Sequence, residues 1–474
     1  MQKIIGRESE IRLLDEYVHS SEAEFIAIYG RRRVGKTYLV NQLYGKTFSF
    51  AVTGVLAGTY EEQMTSFTEA LKDYGCPVEA VPENWMNAFI LLKNFLKTRN
   101  TGDAPMIVFM DELPCFDTQR SGFVRALGYF WNSWASMQDN LTLIVCGSAT
   151  SWMINNIVND KGGLHNRVTH EIHLRPFFLR ESELLLQHNG FQWDRNQILN
   201  AYMALGGIPY YLCMLRKDES FAQNIDRLFF SEDSTLRREY RRLYETLFKS
   251  PSIYFEIIRV LSANKNGLTR EDIAFQLNTN SSGNLSAKLE DLVNCDIVRK
   301  YHTRTKKIKT TSAIYQLVDF FSLFYLTFNP KAELEDNYWQ HHLGSPEINT
   351  WMGLAFEKVC LSHVQQIKKA LKIDGISTRH YSWRSKNREN GAQIDLIIER
   401  ADKIVNLCEI KYSNGKYALT KDETEKLEHR MEAFRTETAL NYPVWLTMIT
   451  TNGLANSVYN SKVVKEVQLD ELFG

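Results

Sequence analysis

Two sets of residues in this chain have the types and spacing to do chemistry. The first is Gly30-x-x-x-x-Gly35-Lys36-Thr37. Glycines let backbone N–H groups curl around phosphate oxygens, and a following helix adds positive potential at its N-terminus. Lys36 would reach the β- and γ-phosphates of a nucleoside triphosphate, and the Thr37 hydroxyl would ligate Mg²⁺. Gly30, Arg33, Val34, Gly35, Lys36, Thr37 and Tyr38 are therefore the expected nucleotide-binding positions. Asp111-Glu112 ends the apolar run Met106 to Met110. Asp111 would hold the metal through water, and Glu112 would polarise the attacking water. Ser148, just after the run Leu141 to Cys146, would touch the γ-phosphate or the lytic water.

The second set lies near the C-terminus. In "VNLCEIKYS", Glu409 and Lys411 sit two apart on what reads as a strand, so both face the same way. Asp395, in "GAQIDLIIER", lies one hairpin length upstream. Two carboxylates brought together repel each other unless a cation joins them, and Mg²⁺ takes such oxygen ligands. Lys411 would then orient or deprotonate a water and stabilise charge on a phosphate. Glu357, on a helical stretch, is a further candidate acid. The simpler alternative is a surface ion pair worth ~0–1 kcal/mol. Against it stand the apolar neighbours of Asp395 and of Glu409, since an acid among them is costly without a role.

The elements that must carry these residues follow from local pattern. "EFIAIYGRRRVGKTYLVNQLY" reads as strand, loop and helix, the context that supports a phosphate loop. In the middle, "PSIYFEIIRVLSAN", "LTREDIAFQL" and "SSGNLSAKLEDLVNCDIVRK" read as three helices, with Thr269 as the cap of the second. "YHTRTKKIKTTSAIYQL" alternates and reads as a hairpin. Three helices and a hairpin make a winged helix. Its wing carries Arg299, Lys300, Arg304, Lys306, Lys307 and Lys309 with no acid among them, a surface suited to DNA phosphates or, equally, to plain solvation. Arg237 to Arg242, "RREYRR", reads as surface or inter-domain. The last third reads helix, three strands, helix, strand. Tyr381, Trp383, Arg384, Lys386 and Arg388 either line a nucleic-acid path or form an ordinary aromatic strand with a charged turn.

Composition sets the frame. The 474 residues suggest about three domains, and the 44% hydrophobic fraction supports packed cores. Basic and acidic residues balance at 56 each, so any nucleic-acid binding must come from local patches. The seven cysteines include no C-x-x-C pair, which fits reduced cysteine in a cytoplasmic protein. The charged opening "MQKIIGRESEI" is no signal peptide, and no apolar run approaches the ~20 residues of a membrane span.

The motif order resembles AAA+ ATPases, in particular those related to origin-recognition and STAND proteins. "IIGRESEI" is similar to the family's segment near the adenine, which implies a nucleotide role for Arg7. "LGGIPYYL" is similar to the turn of the helical lid, which brings in Pro209. Arg167 stands where the family often carries a conformationally active arginine, and it reads equally as a solvated one. The C-terminal pattern resembles the PD-(D/E)xK nucleases, which implies Glu357, Asp395 and Glu409 as metal ligands and Lys411 as the catalytic amine. Ile394 stands where that superfamily often has proline. The whole chain is similar to prokaryotic ATPases with a winged helix and a restriction-endonuclease-like end.

The expected class is α/β. A P-loop parallel sheet with helical lid would fill residues 1–225, linker helices and a winged helix 226–330, and a nuclease-like domain 331–474. Expected ligands are ATP or ADP, Mg²⁺ and DNA, with no membrane and oligomerisation left open. The expected function is an ATPase whose nucleotide state regulates DNA binding or cleavage. Alternatives are a non-cutting DNA-binding switch or, by analogy with STAND-like relatives, a ligand-sensing ATPase of defence or mobile elements.

Overall fold

The computed structural model describes residues 3–102, 104–248, 250–279, 283–302, 313–329, 335–385 and 392–474. The chain divides into two compact units. One comprises Met1–Pro176, Glu245–Lys249 and Glu290–Asp296, and the other comprises Phe177–Tyr244, Ser250–Leu289 and Ile297–Gly474. Among the described residues no helix is long and apolar enough to cross a membrane.

The first unit is built on five parallel strands: β1 (Glu24–Tyr29), β2 (Phe48–Thr53), β3 (Met106–Asp111), β4 (Leu141–Gly147) and β5 (His170–His173). Their order is β2-β3-β4-β1-β5. Every residue of β1, β3 and β4 is buried. That is why the sequence shows unbroken apolar runs there rather than alternation. Helices Tyr60–Asp73 and Trp85–Arg99 start at Thr59 and Asn84, whose side chains accept the N–H of Glu62 and Asn87. They pack an aromatic core in which Phe67, Trp85, Phe89, Phe116 and Phe123 are essentially inaccessible.

The second unit holds two sheets. The smaller is β6 (Leu268–Thr269), β7 (Val298–His302) and β8 (Ala313–Leu317), in the order β6-β8-β7 with antiparallel pairs. Helices Pro251–Ala263, Arg270–Gln276 and Gly283–Asn294 precede the β7–β8 pair. The third helix is shorter than the sequence suggested. It stops at Asn294 because Asp296 turns left-handed (φ 56°) and Ile297-Val298 opens β7. Arg304, Lys306, Lys307 and Lys309 lie outside the described residues, as do Lys386 and Arg388.

The larger sheet contains β9 (Thr378–Arg384), β10 (Gln393–Arg400), β11 (Val405–Lys411), β12 (Val444–Thr450) and β13 (Lys465–Gln468). The order is β13-β12-β11-β10-β9. β9, β10 and β11 pair antiparallel, while β11, β12 and β13 pair parallel. The register of β9 on β10 shifts between Ile394 and Ile397, a bulge around Asp395. Helix Pro346–Ser362 packs on β11, and helix Lys421–Thr438, boxed by Thr420 and Glu423, joins β11 to β12. The run of helix, three strands, helix and strand is the order expected from pattern, and β13 is an addition that four residues could not announce.

Two backbone details pin the helical part of this unit. Gly207 accepts the N–H of Phe177 at 2.6 Å. A Cβ on Gly207 would stand 1.8 Å from the Phe177 carbonyl oxygen, so only glycine fits. His363 is fully buried, and its Nε2 accepts the N–H of Leu179 at 3.1 Å while Nδ1 donates to the Val359 carbonyl at 2.8 Å. A second ring proton would face that N–H, and burial pushes the imidazole down to about 4 from 6.5.

The unfolded chain therefore takes up a proton near pH 6.5 that the fold refuses until about pH 4. Stability from this site is complete above about pH 6.5 and falls toward pH 4, by about 3 kcal/mol in all. Urea unfolding at pH 7.5 and 4.5 should show a smaller pH-dependent loss in His363→Asn than in the wild type. Equal losses would place the acid sensitivity elsewhere.

Candidate functional site

The first site forms where β1 turns into helix Lys36–Tyr44. Gly30 has φ 146°, and a Cβ there would lie 2.3 Å from the Leu174 carbonyl oxygen. Arg33 and Gly35 also take left-handed backbone, the conformation by which such loops can aim N–H groups at a phosphate. Val34 is buried, and Tyr38 is 45% exposed on the helix. Lys36 Nζ donates to the carbonyls of Gly30 (2.8 Å) and Arg31 (3.0 Å), spanning the loop. Burial lowers its pKa, while the charges of Glu112 and Asp111 support the ammonium. Arg7 ties the N-terminal segment to this loop: its guanidinium donates to the carbonyls of Val34 (3.2 Å) and Arg175 (2.7 Å).

The acids arrive from β3. Thr37 Oγ1 donates to Asp111 Oδ2 at 2.8 Å, although the two lie 74 residues apart. Asp111 Oδ1 is buried with no hydrogen-bond partner, and burial raises the pKa of the carboxyl. A hydroxyl beside a carboxylate with one spare buried oxygen is a donor set suited to a hard cation such as Mg²⁺. β4 lies between β1 and β3, which brings Ser148 beside Glu112. Ser148 donates its hydroxyl to Glu112 Oε2 at 2.8 Å and its N–H at 3.2 Å. Sequence placed Ser148 against phosphate or water, and its contact here is with the glutamate that would work on that water. Arg167 is exposed in the turn before β5. Pro209 opens helix Pro209–Leu212 in the second unit.

The second candidate site lies on the larger sheet. β10 and β11 pair Leu396 with Cys408, the last pair of that ladder, so Asp395 and Glu409 are the next residues on the two strands. Glu357 comes from the helix packed on β11. Its carboxyl is pushed up to about 8 by burial and by the charge of Asp395, with Glu409 adding to the effect and Lys358 and Lys411 opposing it. The four expected residues thus share one electrostatic neighbourhood.

Among the described residues, no three His, Cys, Asp or Glu side chains are placed to hold an ion. Of the expected ligand set Glu357, Asp395 and Glu409, the last two have side-chain partners within the protein. Glu409 Oε1 meets Lys411 Nζ at 3.0 Å, and Oε2 meets Arg430 at 2.9 Å. Asp395 Oδ1 accepts from Gln393 Nε2 at 2.9 Å. Arg430 was not foreseen, because a charge on a helix 21 residues downstream carries no local signal. Lys358 was missed although it adjoins Glu357; burial and the nearby Arg299 lower its pKa to about 7. Trp383 is buried against Phe434, while Arg384 next to it is exposed. All seven cysteines are free, and five of them are buried.

With this geometry in view, the comparisons with known proteins are specific for the first half. Residues 4–215 match the model of a family described as an ATPase domain predominantly from Archaea. Residues 329–427 match a family described as archaeal and bacterial proteins of unknown function. An uncharacterized protein of Methanocaldococcus jannaschii is 25% identical over 419 residues, covering 87% of this chain and 88% of its own. The Walker-type ATPase PABY2304 of Pyrococcus abyssi shares 18% identity at TM-score 0.46, over 68% of this chain and 96% of that one. The ORC2 protein of Aeropyrum pernix shares 13% identity at TM-score 0.42, over 69% and 93%. Those two likenesses are distant; the phosphate loop, the acid strand and the match over residues 4–215 make this protein a P-loop ATPase.

Lys36→Ala should reduce ATP affinity at least tenfold in a fluorescent-nucleotide titration. Ser148→Ala should leave that affinity within about twofold and lower the turnover number about 10-fold or more, because Glu112 loses its fixed orientation. Equal loss of both quantities in Ser148→Ala would mean a role in binding instead.

Proposed function

We propose that the protein is a cytoplasmic, Mg²⁺-dependent ATPase whose nucleotide state controls DNA binding or cleavage by the rest of the chain. The proposed parts are an ATPase with helical lid (1–225), a winged helix (226–330) and a nuclease-like domain (331–474). The observation that carries the ATPase chemistry is the Thr37–Asp111–Glu112–Ser148 arrangement. Thr37 and Asp111 would hold the ion, which when bound neutralises developing charge on the transferred phosphoryl group. Lys36 leaves the loop carbonyls for the phosphates, Glu112 accepts the proton of the attacking water, and Ser148 keeps Glu112 aimed. Arg7 secures the loop through Val34. Arg167 is proposed as a reporter of the γ-phosphate in an oligomer, and Pro209 as part of the lid.

For DNA, three helices followed by a hairpin with Arg299 and Lys300 support a winged helix. For cleavage, the helix–strand order of residues 346–450 and the shared neighbourhood of Glu357, Asp395, Glu409 and Lys411 support a PD-(D/E)xK-like site. A second reading, a DNA-binding switch that does not cut, draws on one observation: Arg430 and Lys411 already neutralise Glu409.

Glu112→Gln should lower ATP turnover by about 10²–10³ with nucleotide binding retained, checked by phosphate release. Asp395→Ala and Lys411→Ala should each abolish Mg²⁺-dependent cleavage of end-labelled DNA while ATP turnover stays at the wild-type rate. A wild type that cuts neither single- nor double-stranded DNA with ATP, ADP or no nucleotide leaves the switch as the function.

A further inference from the structure

Asp395 of the larger sheet and Glu357 of the helix packed on it face a cavity of about 30 Å³, room for about one or two water molecules. Glu357, Gln393 and Asp395 line one side of it. Asn266, Arg299 and Tyr301, from the helix-and-hairpin module, line the other. A ligand-sized site needs roughly 300 Å³ or more, so a nucleic-acid backbone does not reach these acids while the two sides stay together.

A continuous set of polar contacts joins the sides. The Tyr301 hydroxyl donates to the Asn266 carbonyl at 2.8 Å. The side-chain amides of Asn266 and Gln393 bond reciprocally, each at 2.9 Å. Gln393 Nε2 also donates to Asp395 Oδ1 at 2.9 Å. Arg299 stacks on Tyr301 at 4.7 Å and donates to Gln316 Oε1 at 2.6 Å, and the charge of Asp395 supports its guanidinium against the cost of burial. Arg299 and Lys358 line this cavity together with Asp395, so two monovalent side chains stand where a divalent ion would be needed.

We propose that Asn266, Arg299 and Tyr301 form an internal latch that holds the acidic site closed, and that the site takes a divalent ion only when this module separates from β10. The proposal rests on the nuclease-like reading of the acids. It also supplies a trigger of stated chemistry. Arg299 is held by Gln316 and Tyr301 beside the cavity, so a DNA phosphate that draws its guanidinium away would loosen the latch. The amide pair is neutral and easily exchanged for water, which makes opening reversible.

The test uses the full chain and Mn²⁺ alone, titrated by calorimetry. The binding that matters is the part lost on adding Asp395→Ala, which separates it from any ion at Thr37 and Asp111. Asn266→Ala should tighten that part about tenfold or more. Arg299→Gln, which keeps a partner for Gln316, should do the same without relying on one variant's folding. DNA cleavage should rise in both. Affinity that is unchanged or weaker in both variants, or Asp395-dependent binding absent from every protein, overturns the latch. Wild-type cleavage that disappears in Asp395→Ala would in that case leave the nuclease reading standing, so the two ideas fail separately.

Discussion

The hydrogen bond from Thr37 to Asp111 is the contact on which the ATPase half depends. It requires two strands that are not neighbours to end at the same height, with β4 between them. Parallel pairing achieves that, because every strand delivers its C-terminal end to one edge of the sheet. The loop after β1, the acids after β3 and the serine after β4 then meet without any long excursion. The buried, apolar character of β1, β3 and β4 follows from the same demand, since a sheet that sets polar groups this closely must be rigid and covered on both faces.

Much of this was legible because the signals are local. The phosphate loop is a stretch of eight residues with strand and helix attached, and its glycines answer to backbone angles that other residues rarely adopt. Asp111 and Glu112 were readable from the apolar run before them. What stayed hidden is long-range pairing. Nothing around Ser148 says that its partner is Glu112, and nothing near Glu409 announces Arg430. The end of helix Gly283–Asn294 was misplaced for a related reason. Apolar spacing continued past Asn294, but strand pairing of β7 with β8 took the residues that followed.

The second unit shows how acids behave when a sheet and the helix packed on it bring them near each other with cations close by. Glu357, Asp395 and Glu409 are each answered by something different: burial that favours the protonated form, an amide, and two cations. Such a grouping has low net charge and little room, and it is stable as it stands. Binding an ion there would require these partners to be exchanged.

The bulge in β10 carries a different lesson. Asp395 sits where the regular ladder with β9 is already interrupted, between Ile394 and Ile397. The rest of that strand earns its place by packing apolar side chains on both faces, and Asp395 contributes little to that core. An ancestral chain could therefore gain or lose an acid at this point and still fold. Descendants that cut and descendants that only bind would then share one architecture, and shape by itself would not tell them apart.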